Sequence, residues 1–214
     1  VSCDSPVVAG TGYGQVMTYT CHFSGVSVNT YSVDVSVNGG YYTGGNDDVF
    51  TVFDPSLGFT TGGGWFYWPD TQDKTNFGYV MKYNKKWTKV QGSLLLIRHV
   101  AGSTTGEKYR IKSNALEGLA IGSAADFDWA SFSGKNTYLE PDEDNEGNNE
   151  FTVYVEDHGE PGRGVDQFWI QARDKKDKIR TGMSMPEPGA GNSETILGGN
   201  IVVPHSNKGG GRNN

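Results

Sequence analysis

A chain of 214 residues is long enough to bury one large β core, and 25 Asp and Glu against 18 Lys and Arg leave it a formal net charge of −7. That balance excludes nucleic acid or anionic lipid as the main partner, because phosphate recognition needs clustered cations. With 31 glycines, 12% aromatic residues, no helical apolar stripe and no apolar run of membrane-spanning length, the composition points to an all-β chain rich in turns.

The first elements surround the two cysteines of the chain, Cys3 and Cys21, both in extended segments. A disulfide between them is expected. It would constrain the unfolded chain by about 3 kcal/mol in the loop-entropy account and would indicate an oxidising, extracellular compartment. No basic and apolar leader precedes Val1, so a mature or processed start is expected. Strands are expected over 15–23, 31–38 and 49–54, with turns at Ser24-Gly25 and Asn38-Gly39-Gly40. Val33, Val35 and Val37 alternate with Ser32, Asp34 and Ser36, and this stretch resembles the last two strands of an immunoglobulin-like or PKD-like repeat. Such a sandwich needs about seven strands, and 1–54 holds room for three or four. The segment therefore reads as a smaller, incomplete immunoglobulin-like β domain with an open edge. Three ways to complete it stay open: a strand donated by a neighbouring copy, loss of strands from a cut chain, or packing on the second domain as an irregular extension.

From Gly58 the texture changes. GFTTGGGWFYWPDT, NFGYVMKYNKKWTKVQGSLLLIRH, YRIKSNALEGLAIG and WASFSGKNTYLE read as successive strands. Gly62-Gly63-Gly64 lacks the Lys-Ser/Thr of a phosphate loop and reads as a bulge or a close backbone crossing. In the run Trp65-Phe66-Tyr67-Trp68, strand geometry places Trp65 and Tyr67 on one face and Phe66 and Trp68 on the other. One pair belongs to a core. The other is covered by a loop or by the N-terminal half-domain, or is exposed, where it could stack on sugar rings.

The segment Phe151 to Asp174 reads as a hairpin. Phe151, Val153 and Val155 face one side, Thr152, Tyr154 and Glu156 the other, and Phe168 and Ile170 oppose Trp169 and Gln171 in the return strand. Its HGEPGRG connection gathers Asp157, Glu160 and Asp166 at one end. Calcium takes six to eight oxygens at about 2.3–2.6 Å, and such a loop could furnish most of them; the alternative is a turn whose acids are solvated. A second candidate is the insert EPDEDNEGNNE, in which Asp142, Asp144, Glu146, Gly147 and Glu150 follow the early spacing of an EF-hand-type loop. Its twelfth position is Val153, which rules out a complete EF-hand. Asp47-Asp48 and the pair Asp70 and Asp73 are lesser acid sites.

FTTGGGW, NFGYVMKY, WASFSGKNTY, EFTVYVEDHGEPGRGVDQFWIQARDK and LGGNIVV, taken in this order, resemble the post-COAP family of secreted bacterial β-sandwich domains. The resemblance covers about 54–204 and includes a DPS-x-GF linker at Asp54 to Phe59. It implies a β-sandwich of jelly-roll or immunoglobulin-like type behind immunoglobulin-like repeats. It carries over no catalytic residues.

Catalytic signatures are sparse. His22, His99, His158 and His205 show no zinc spacing, and no GxSxG elbow occurs. Glu156 and Glu160 near His158 give one hydrolase-like hint, weakened because Glu160 lies in a Gly-Pro turn. Residues 205–214 read as a flexible polar tail. The expected protein is a non-enzymatic extracellular module, the repeating subunit of a bacterial surface fibre or adhesin, with partners that are copies of itself or neighbouring domains. In that expectation it is completed by strand exchange and stiffened by calcium. A polysaccharide-binding module is the alternative.

Overall fold

The computed structural model describes residues 2–12, 15–26, 29–39, 42–52, 59–86, 88–186 and 192–204. Residues 54–58 of the expected Asp54–Phe59 linker, Trp87 and the tail at 205–214 lie outside them. The chain is all-β and sandwich-like, as its composition implies. Among the described residues fifteen strands form one large sheet and three small ones.

The large sheet is an antiparallel meander. In chain order its strands are β7 (Phe59–Tyr67), β8 (Lys74–Tyr83), β9 (Val90–His99), β10 (Lys108–Ser123), β11 (Asp128–Leu139), β12 (Glu146–Asp157) and β13 (Gln167–Arg173), each paired with the next. Alternation decides which side chains turn inward. Along β11, Ala130, Phe132 and Tyr138 are buried while their neighbours are only half-covered. The sheet curls around this inner face. Phe77 on β8 and Phe168 on β13 stand five strand positions apart, about 24 Å in a flat sheet, yet their ring centroids lie 4.5 Å apart. Phe66 joins them at 5.5 Å from Phe168, and Tyr79 packs on Phe132 at 4.8 Å.

One short segment ties the two edges of the curl together. β14 (Glu194–Thr195) pairs with β13, and β15 (Gly198–Val202) pairs with β7. Between them the Ile196 amide donates to the Asp166 carbonyl at 3.0 Å and the Leu197 amide to the Trp65 carbonyl at 2.8 Å. The triple glycine is what lets β15 lie against β7: a Cβ on Gly64 would stand 2.1 Å from the Gly198 carbonyl oxygen. Opposite it, Gly199 has φ +97°, a conformation that disfavours any side chain. The expected close backbone crossing is found here.

The N-terminal segment folds differently. β1 (Ser2–Cys3) pairs with β4 (Cys21–His22), and the Cys3–Cys21 disulfide joins directly opposed residues. β2 (Val7–Ala9) pairs with β3 (Val16–Thr18). A longer ribbon follows, β5 (Asn29–Gly39) with β6 (Tyr42–Val52), and it runs close to β8 and β9 of the large sheet. The sequence suggested three or four strands here; six are present among the described residues as three two-stranded pairs, because the expected 15–23 strand is interrupted at 19–20 and Ser2–Cys3 and Val7–Ala9 supply partner strands for its two halves.

Candidate functional site

The hairpin acids do come together, and what they surround is a strand. β15 gives one edge to β7, leaving alternate amides on its other edge without a ladder partner. Those amides point at the β12–β13 loop. The Ile201 amide donates to Asp166 Oδ2 at 2.8 Å and the Val203 amide to Asp157 Oδ2 at 2.9 Å. The remaining oxygens accept from the loop itself: Asp166 Oδ1 from the His158 amide at 3.0 Å, Asp157 Oδ1 from the Gly159 amide at 3.1 Å. Asp157 is 2% exposed and Asp166 fully buried. Each of the four oxygens thus accepts a backbone N–H, as a neighbouring strand's carbonyls would do.

Asn200 completes the arrangement. Its Oδ1 accepts from the Gly162 amide at 2.5 Å and its Nδ2 donates to Glu160 Oε1 at 2.8 Å. Glu160 therefore stands at the exposed rim while the two aspartates lie inside. Burial raises the Asp166 pKa above its ordinary value, opposed by the Ile201 and His158 amides and assisted by the charges of Asp157 and Glu160.

The acidic insert lies at the other end of β12. Asp142 and Asp144 are exposed in the β11–β12 turn, with Asp142 at φ 60°. Glu146 opens β12 and pairs with Arg180 Nη2, with Lys175 Nζ at 3.9 Å. Arg180 Nη1 also stands 3.9 Å from Glu140, its Nε donates to Asn149 Oδ1 at 3.3 Å, and its guanidinium lies 5.3 Å from the Tyr138 ring centre. In this geometry the insert's counter-charge is an arginine supplied by the segment after β13. Among the described residues no group of three or more His, Cys, Asp or Glu is placed to hold a metal ion.

Of the lesser acids, Asp73 forms a largely buried ion pair. Its Oδ2 lies 2.7 Å from Arg98 Nε and 2.6 Å from Arg98 Nη2, and its Oδ1 accepts from the Ala101 amide at 2.8 Å. The Arg98 guanidinium sits between the rings of Trp68 and Tyr109, 4.7 and 4.9 Å from their centres. Asp70 is exposed in the turn after β7, at φ 59°. The side chains of Asp47 and Asp48 lie outside the described ones.

Phe66 and Trp68 belong to the core, stacked at 6.3 Å, and Trp65 and Tyr67 face outward, as strand alternation requires. The outward pair is no flat platform. Its rings meet edge-on at 80°, and Lys74 Nζ caps the indole at 5.1 Å. The hydrolase-like trio also resolves into separate contacts. His158 Nε2 lies 2.8 Å from Glu156 Oε2 and its ring stacks on Phe127 at 4.7 Å, while Glu160 is held by Asn200. The Tyr154 hydroxyl, bonded to the Glu156 side chain, has its pKa pushed up to about 12 by burial and then by the Glu156 charge.

Arg98, Arg180 and the β15 amides are the partners that sequence reasoning missed. A lone arginine carries no motif, and an amide's need for an acceptor shows only once β15 is placed. Comparison with family models, curated proteins and solved structures finds no match.

Proposed function

We propose that this chain is an extracellular structural and adhesive module that joins copies of itself through its N-terminal arm. The observation that carries the reading is the exposure of apolar side chains among the described residues of the arm. Val7 is 70% exposed, Val16 61% and Met17 55%, with Val8, Tyr19 and Phe23 exposed beside them. Strands of two and three residues cannot sustain themselves by hydrogen bonding, and apolar side chains gathered on a short hairpin gain free energy when another surface covers them. The β5–β6 ribbon adds two 11-residue strands paired only with each other among the described residues, so its outer edges can accept a further strand. The disulfide is compatible with an oxidising compartment.

Light scattering over a concentration series, with electron microscopy of the same samples, tests this reading. Wild-type protein is expected to form multimers, and a Val8→Lys, Met17→Lys double variant to remain monomeric with an unchanged melting temperature. A wild type that stays monomeric at every concentration refutes it.

A further inference from the structure

The outer face of the large sheet carries an arrangement that no motif flagged. Trp129 on β11 and Tyr154 on β12 point outward in adjacent strands, one register step apart, because Ser131 pairs with Tyr154 and Trp129 with Glu156. Their rings stack with centroids 6.1 Å apart and planes only 28° from parallel. Gly122, paired with Trp129 across the β10–β11 ladder, makes room for the indole: a Cβ there would lie 2.4 Å from Trp129 Cζ2. Trp129 and Tyr154 are both partly open to solvent. This pair has the near-parallel ring planes that Trp65 and Tyr67 lack.

Next to the rings the same face sinks into a trough of about 190 Å³. Ser133, Thr152 and Gln171 line it in one row across β11, β12 and β13, and Glu117, Glu150 and Arg173 stand at its sides. Thr152 is two residues before Tyr154 on β12, so trough and rings adjoin at about 7 Å along the strand. Gln171 is oriented by Arg173, whose Nε donates to Gln171 Oε1 at 3.1 Å, and Arg173 Nη1 is in turn held by Asp177 at 3.2 Å.

From this juxtaposition we infer that the outer face of β10–β13 binds a neutral, hydroxyl-rich glycan chain, one pyranose ring lying on Trp129 and Tyr154 and the next reaching into the trough. The chemistry matches at each end. An aromatic face suits the C–H face of a sugar ring, while two hydroxyls, an amide and two carboxylates supply acceptors and donors for its hydroxyl groups. Charge selects against acidic polysaccharides. Glu117 and Glu150 face the trough, the one guanidinium there is already paired with Asp177, and the chain as a whole carries a net charge of −7. The inference does not depend on self-assembly, since the arm and this face involve different residues.

The test is titration of the whole chain with cellohexaose, maltohexaose and chitohexaose, followed by tryptophan fluorescence and calorimetry, with polygalacturonate as the anionic control. At least one neutral probe is expected to bind saturably, and Tyr154→Ala to weaken it about tenfold. Because Tyr154 also packs on the core, Thr152→Arg at an exposed position serves as a second variant, expected to weaken binding similarly with an unchanged melting temperature. Absence of saturable binding by every neutral probe at millimolar concentration overturns the inference. So does binding of polygalacturonate alone, or binding that neither substitution alters.

Discussion

The curled sheet and the N-terminal arm solve the same problem with opposite means. In the sheet, inward aromatic residues from strands far apart in order meet at one centre, and burial of apolar surface holds the curl. In the arm almost every described residue from Ser2 to Gly25 is exposed, and a covalent bond between opposed cysteines does the holding. The contrast teaches that regular β pairing is no measure of stability by itself: the sheet would keep its shape through the loss of single hydrogen bonds, whereas the arm depends on one bond or on a partner.

The most severe way to break the contrast is to empty the sheet's centre. Phe168→Ala removes the ring that touches both Phe66 and Phe77 and is expected to cost about 3–5 kcal/mol, read from denaturant unfolding. A loss under about 1 kcal/mol would show that the curl is held elsewhere. Next comes Asp166→Ala, which leaves the Ile201 and His158 amides without their acceptor; an expected loss of about 2–5 kcal/mol would come with faster hydrogen exchange along 198–203. Cys3→Ser acts on the other region. It should loosen the arm, visible as rapid exchange over 2–22, while the melting temperature of the large sheet moves little; a fall of the whole transition would mean that arm and sheet unfold as one.

Smaller effects sharpen the comparison further. Asp166 holds its proton more tightly when folded, chiefly through burial, so its contribution to stability is present below its unfolded pKa and lost as pH rises through the higher folded one. Glu194, raised by burial and by Asp70, has the same sign. Asp174 has the opposite sign: the Lys178 and Lys176 amides lower its pKa, so its contribution is lost as pH falls through the folded value. Melting of wild type and Asp166→Asn between neutral and acid pH should show the wild-type advantage widening toward acid. Finally, carboxylates engaged by amides and by Arg180 predict equal melting in millimolar calcium and in EDTA. A rise of several degrees with calcium would assign the acid loops to an ion instead.

Much of this was legible in the residues. The 151–174 hairpin follows period two, and Phe151, Val153, Val155, Phe168 and Ile170 are all buried as that period requires. The faces of the 65–68 run and the Cys3–Cys21 bridge follow from equally local rules. Trp169 shows where local rules end: period two turns it outward, but its indole N–H donates to the Pro186 carbonyl, and it is buried. The sequence shows the acids as an oxygen-rich loop but hides the amides of Ile201 and Val203 that they accept from, which lie 35 and 46 residues away. Trp129 and Tyr154 were hidden for the same reason, since only the β11–β12 register sets them side by side.

The segment joining both edges of the curl also sets an order of events. Residues 194–202 leave the ribosome after every strand of the meander, so β7 and β13 must wait with open edges until then. Any factor that shields nascent strands would have most to do in that interval. A stop codon placed just before Glu194 would make the interval permanent, leaving β7 and β13, which β15 and β14 otherwise cover, as two open edges available for aggregation.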